Sequence, residues 1–247
     1  RWLHLSGISL AISASACDAA FAAMRHARTA GTQVALDSNL RLSLWPLDRA
    51  QACMRHAVSL CDLFLPSMED MTALTGLTQA QDIISWSHAQ GAAQVVLKLG
   101  AEGALASDGH KQHQIPGHMV QAVDATGAGD CFAGNLLARL SAGDDLWAAT
   151  AYANAAAALS VQGYGAVAPL PRQEDVLKHL NTLSKGSDKA CVGIKSCITI
   201  PESYRQYFET SSYCTLYKAT IKNSDPIYAQ IGAMNERDQV TFNGQFD

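Results

Sequence analysis

The sequence predicts an α/β protein with a mostly parallel sheet covered by helices on both faces. Three observations carry this. Short apolar runs of strand length alternate with longer stretches whose apolar residues recur at helical spacing. A glycine-rich turn, Thr126-Gly-Ala-Gly-Asp130, stands directly before one of the helical patterns. Of the 247 residues, 48% are hydrophobic and 16% charged, which suits a buried core and not a disordered chain.

The elements follow in order. Trp2 to Leu10 is a short apolar run ending in small residues and reads as a buried strand. Ser13 or Ser15 can cap the next helix, which places Phe21, Met24 and Ala27 on one face and ends at Gly31. Ala14-Ser15-Ala16-Cys17 has a faint likeness to a lipoprotein processing site. His4, Gly7 and several serines interrupt the stretch before it, and Arg1 is its only positive flank, so a strand running into a helix cap is the better reading. The first residue is Arg rather than Met, and the true start is expected elsewhere.

Val34 to Asp37 is the next strand. The polar loop from Asp37 to Pro46 then lies at a strand end, where open α/β sheets bind ligands. Residues 47 to 60 are helical, Leu63 to Leu65 extended, and Ser67 starts a helix running to about Thr75-Gly76. After a helix near 79 to 90, Gln94 to Leu99 is a strand. A turn at Gly100 to Gly103 leads to its hairpin partner, Ala104 to Ser107. His110 to Val123 reads as edge strand or loop. Helices follow over Gly127 to Ser141, Leu146 to Val161 and 172 to 180. Beyond 180 alanine becomes rare and tyrosine common, so 181–188 reads as a linker and 189–247 as an unassigned β-rich segment.

The formal net charge is −4 and no basic run stands out, which argues against a nucleic-acid partner. No apolar stretch has membrane-spanning length. The seven cysteines show no C-x-x-C spacing. Cys17, Cys53, Cys61 and Cys131 fall on apolar patterns and read as reduced core residues of a cytoplasmic protein. His110, His113 and His118 match no zinc spacing and read as neutral loop histidines. Cys191, Cys197 and Cys214 remain open between pairing, metal binding and neither.

The chemistry centres on Asp124-Ala-Thr-Gly-Ala-Gly-Asp130. The first amides of a helix lack internal partners, and the helix dipole favours an anion there. Small residues let a phosphate approach the backbone. Asp130 would repel that anion unless it takes a proton from a group attacking it, which is what phosphoryl transfer to an alcohol needs.

This motif resembles the C-terminal signature of the PfkB, or ribokinase-like, carbohydrate kinases, and the likeness extends over residues 1–180. Asp37-Ser-Asn39-Leu-Arg41 with Leu44-Trp45 is similar to the corresponding loop of 2-keto-3-deoxygluconate kinases. The resemblance implies an ATP-dependent kinase that uses Mg²⁺, with K⁺ as an option, and phosphorylates 2-dehydro-3-deoxy-D-gluconate to its 6-phosphate. It implies Asp130 as base and substrate contact, the amides of Gly127, Ala128 and Gly129 as anion hole, and Asn39, Leu40 and Arg41 on the ATP side. Arg41 would also lie near the sugar acid, whose carboxylate its planar fork suits.

Ser67, Lys98, Gly100, Gly103 and Asn154 complete the implied nucleotide site. Asp70, where the family commonly has Glu, is a candidate for Mg²⁺, and Asp124 for a monovalent cation. Structural readings stay open beside these. Ser67 suits a helix N-cap, Asp124 and Thr126 suit turn caps, and Asn154 suits a helix-surface amide. The family's N-terminal sugar-binding motif and β lid are not found. The chain is therefore expected to hold the C-terminal portion of the fold, and exposed core faces would favour homo-oligomers. A fructose- or ribose-specific kinase, and a nucleotide-binding module without catalysis, are the alternatives.

Overall fold

A computed structural model describes residues 1–186, with side chains to 182. Six strands form one sheet in sequential order: β1 (Trp2–Ser6), β2 (Gln33–Asp37), β3 (Leu63–Leu65), β4 (Gln94–Lys98), β5 (Gly103–Ser107) and β6 (Gln112–Pro116). β1 to β4 run parallel, in a register that pairs Leu3 with Val34 and Leu36 with Phe64. β5 and β6 continue antiparallel, so the hairpin expected after β4 is present.

The helices are α1 (Gly7–Ala11), α2 (Ala14–Thr29), α3 (Leu47–Leu60), α4 (Met68–Thr75), α5 (Ala80–Gln90), α6 (Ala128–Ser141), α7 (Leu146–Ser160) and α8 (Gln173–Gly186). Sequential parallel strands joined by right-handed crossovers place their connecting helices on one face. Val34, Leu36, Phe64 and Val95 accordingly pack against Met24, Met54, Met71 and Ile83 from α2 to α5. Their strand neighbours Ala35, Leu63, Leu65 and Val96 point the other way, to Phe132, Leu136 and Ala149 on α6 and α7. Burial on both faces is why these strands read as continuous apolar runs. α7 is buried on nearly every side, and its alanines let it lie close against α6.

Several local expectations change. The apolar run from Trp2 does not stay extended to Leu10: β1 ends at Ser6 and Gly7–Ala11 is helical, burying Leu10 and Ala11. Period alone does not separate a buried strand from a buried helical turn in so short a run. Ser13 is the serine that caps α2, accepting from the Ala16 amide at 3.0 Å. This places Cys17 inside the helix, buried. In the stretch from His110 to Val123, β6 occupies only Gln112–Pro116. α8 runs to Gly186, so the first part of the segment read as a linker is helical. The rest of that segment and 189–247 lie outside the described residues.

Candidate active site

α6 starts at the glycine-rich turn. Gly127 is its N-cap, with φ of 77°, and a Cβ there would come within 2.8 Å of the Ala166 side chain. Only glycine enters this left-handed position without strain and clash. No side chain caps the helix. The Ala128 amide is spent on the Ala125 carbonyl at 3.1 Å, so it is not free for an anion as the sequence suggested. The reason is the tightness of the turn, which folds its first amide back on itself. Asp130 sits in the first helical turn and is exposed.

Lys98, at the end of β4, brings the positive charge. Its Nζ lies 2.6 Å from Asp37 Oδ2, and the two side chains are 16% and 6% exposed. A Cβ on Gly129 would lie 3.6 Å from the same Nζ. The ammonium therefore stands in contact range of the α6 N-terminus. Asp37 also accepts the Asn39 amide at 3.1 Å through Oδ1. His4 on β1 belongs to this charged group. Burial holds its pKa below the usual imidazole value, with Asp37 and more weakly Asp130 acting to raise it and Lys98 to lower it.

Beside this cluster opens a cavity of about 1080 Å³. Its walls include Ser67, Lys98, Gly100, Gly103, Gly129 and Asn154, all expected from the sequence. Ser67 caps α4 by accepting the Asp70 amide at 3.1 Å, and it lines the cavity as well. Asn154 is not a surface amide: it is buried and its Nδ2 donates to the carbonyls of Ile115 and Pro116 at 3.1 and 3.3 Å. It fastens α7 to the end of β6, the start of the cavity's outer wall. That wall continues through Gly117, His118, Met119 and Val120.

Other expected residues lie apart. Asn39, with φ of 25°, donates its Nδ2 to Ser6 Oγ at 2.8 Å. Leu40 is buried in the helix-covered core under β2, and exposed Arg41 donates to the Leu40 carbonyl at 2.8 Å. None of the three lines the cavity. The loop reaches the site through Asp37 instead. Asp70 accepts the buried Ser38 hydroxyl at 2.5 Å, and Ser38 Oγ in turn accepts the Ser67 amide at 3.2 Å. Asp124 accepts the Thr126 hydroxyl at 2.6 Å, the Thr126 amide and the Gly165 amide, both at 2.9 Å. These bonds, the hydroxyl first, hold its pKa below the usual carboxylate value. They tie the turn before α6 to the loop after α7.

Sequence reasoning missed two features. The Asp37–Lys98 pair links residues far apart in the chain, although Asp37 was in view at a strand end. The other is a histidine pair: His118 and His179 of α8 meet with ring centroids 5.1 Å apart. Burial, then His179, pushes the His118 pKa down to about 4. His113 instead meets Trp147 edge-on at 4.6 Å. Among the described residues no group of three or more His, Cys, Asp or Glu is placed to hold a metal ion, and no helix is long and apolar enough to cross a membrane.

An open α/β sheet with an uncapped, glycine-led helix, an exposed carboxylate and a lysine beside a cavity is an arrangement that suits phosphate groups. Residues 1–173 match the model of the pfkB family carbohydrate kinases, and the chain belongs to that family. It is 35% identical over 184 residues to 2-dehydro-3-deoxygluconokinase of Bacillus subtilis, covering 72% of this chain and 56% of the relative. It is 34% identical over 187 residues to a fructokinase of Vibrio alginolyticus, covering 72% and 60%.

Among solved structures it is similar to aminoimidazole riboside kinase from Salmonella enterica, complexed with aminoimidazole riboside and an ATP analog. The TM-score is 0.69 and the identity 31%, over 72% of this chain and 62% of that one. Fructokinase from Vibrio cholerae O395, bound to fructose, ADP and calcium ion, also gives a TM-score of 0.69, at 33% identity over 72% and 60%. The chain thus spans a little more than half the length of these relatives.

Proposed function

We propose that this chain binds ATP in the cavity beside α6 and transfers its γ-phosphate to the terminal hydroxyl of 2-dehydro-3-deoxy-D-gluconate, giving the 6-phosphate. One observation carries the reading. An exposed carboxylate, Asp130, stands in the first turn of a helix that has no side-chain cap and has the Lys98 ammonium at its end. Asp130 accepts the proton of the attacking hydroxyl, the oxygen bonds to phosphorus, and the bond to ADP breaks. The Gly127 and Gly129 amides face the transferring group, and Ala128 contributes through the helix dipole rather than its N–H. Lys98 balances phosphate charge while Asp37 holds it in place.

The cavity's volume and lining support the reading, in which Gly100, Gly103 and Asn154 would surround the base and Ser67 and Lys98 would face the phosphates. Mg²⁺, when bound with the nucleotide, neutralises phosphate oxygens. In this reading Asp70, which does not itself line the cavity, would hold one of its waters through the oxygen not taken by Ser38. For K⁺, both Asp124 oxygens already accept hydrogen bonds, and a cation there would share them.

The sugar acid is favoured by exposed Arg41 in the Asp37 to Trp45 loop and by the likeness to a 2-dehydro-3-deoxygluconokinase. A second reading keeps the reaction and changes the acceptor to fructose, favoured by the fructokinases at similar identity. We place the reaction in the cytoplasm, with a small-molecule substrate and neither nucleic acid nor membrane as partner. ADP release from Mg-ATP with 2-dehydro-3-deoxygluconate, fructose and ribose in turn is the test. Release driven by the sugar acid supports the first reading and release driven by fructose the second. Nucleotide binding with no release for any sugar would replace both with a non-catalytic module.

A further inference from the structure

Cys17 and Cys53 stand apart from the kinase site and have no part in it. Cys17 lies in the first turn of α2 and Cys53 in the middle of α3. Their sulfurs are 3.9 Å apart, close enough for S–H···S contact. Cys17 is buried, and its thiol pKa is pushed up to about 11 by burial and then by Cys53. Cys53 is partly exposed. The two other described cysteines lack this pairing. Cys61 is buried, with its thiol donating to the Val58 carbonyl, and Cys131 accepts from Asn135.

We propose that Cys17 and Cys53 form an oxidation site that closes to a disulfide and fastens α2 to α3. With a peroxide as oxidant the steps balance. The Cys53 sulfur, the accessible one, attacks a peroxide oxygen, becomes a sulfenic acid and releases water. The Cys17 sulfur then attacks the Cys53 sulfur, an S–S bond forms, and a second water leaves. Two thiols are oxidised and one peroxide is reduced. Low acidity slows Cys17 as a nucleophile, but helix packing holds its sulfur 3.9 Å from that of Cys53, and proximity offsets the slow attack. The bridge spans two helices packed on the same sheet face, so its closure constrains the unfolded chain over the intervening loop.

The test uses the full chain carrying Cys191→Ser, Cys197→Ser and Cys214→Ser, so that only the four described cysteines remain. The protein is reduced, exposed to hydrogen peroxide, alkylated and digested. The proposal expects the peptides of Cys17 and Cys53 joined and lighter by two hydrogens, separable again by dithiothreitol, with Cys61 and Cys131 alkylated. Cys17→Ser should leave Cys53 as a sulfenic acid that dimedone traps, and the oxidised parent should melt at a higher temperature than the reduced one. Recovery of Cys17 and Cys53 as separate alkylated or overoxidised peptides would overturn the proposal. So would a bridge from either to Cys61 or Cys131.

Discussion

Replacing Lys98 by Met removes the ammonium and keeps most of the side-chain volume. Its partner Asp37 has a side chain only 6% exposed, and the lost contact is 2.6 Å long. Breaking a buried pair from one side costs about 3–5 kcal/mol, because the remaining charge stays out of water without compensation. Asp37 retains the Asn39 amide at 3.1 Å, and Lys98 itself is partly exposed. Both place the cost at the lower end, about 3 kcal/mol. With a urea m-value of about 2 kcal/mol/M, the unfolding midpoint should fall by about 1.5 M. Adding Asp37→Asn removes the stranded charge, so the double variant should recover about 2 kcal/mol relative to additivity. If Lys98→Met unfolds within about 0.5 kcal/mol of the parent, the pair is not the buried anchor described here and the reasoning fails.

Gly127→Ala places a Cβ 2.8 Å from the Ala166 side chain at a φ of 77°. It should cost about 2 kcal/mol in denaturant and weaken ATP binding measured by calorimetry. Asn154→Ala removes donors from the carbonyls of Ile115 and Pro116. A stability loss of about 1–3 kcal/mol by urea titration, with weaker nucleotide binding, is the expected result. His118 is held neutral in the fold, with its pKa lowered to about 4. The unfolded chain therefore binds the extra proton between the unfolded value of about 6.5 and the folded value, so stability rises with pH across that window. Urea midpoints should fall from pH 7 to pH 4.5 by an amount that His118→Phe reduces, the lowered His4 and His179 supplying the rest.

The sequence carried most of the architecture because its signals were local. Alternating strand and helix periods, Ser13 and Ser67 as caps and Gly76 as a stop depend on residues a few positions apart, and all three are in place. The glycine-led turn that opens α6 was legible for the same reason. What escaped depends on distance in the chain. That Leu40 turns into the core while Asp37 reaches Lys98 follows from the strand order, in which only the short β3 separates β2 from β4, and periodicity does not encode that order. The helical turn at Gly7 looked like strand because Leu10 is buried in either form. His118 was visible as a loop histidine, but its contact with His179 arises only once α8 folds back over α7.

The central claim is that Asp130 is the base beside a nucleotide site built on α6. The most direct test measures sugar-dependent ADP release and ATP affinity on the same preparation of Asp130→Ala. The account predicts release reduced by about 10²–10⁴-fold, the usual loss for a general base, with ATP affinity unchanged. Equal turnover in variant and parent would contradict it and remove Asp130 from the role.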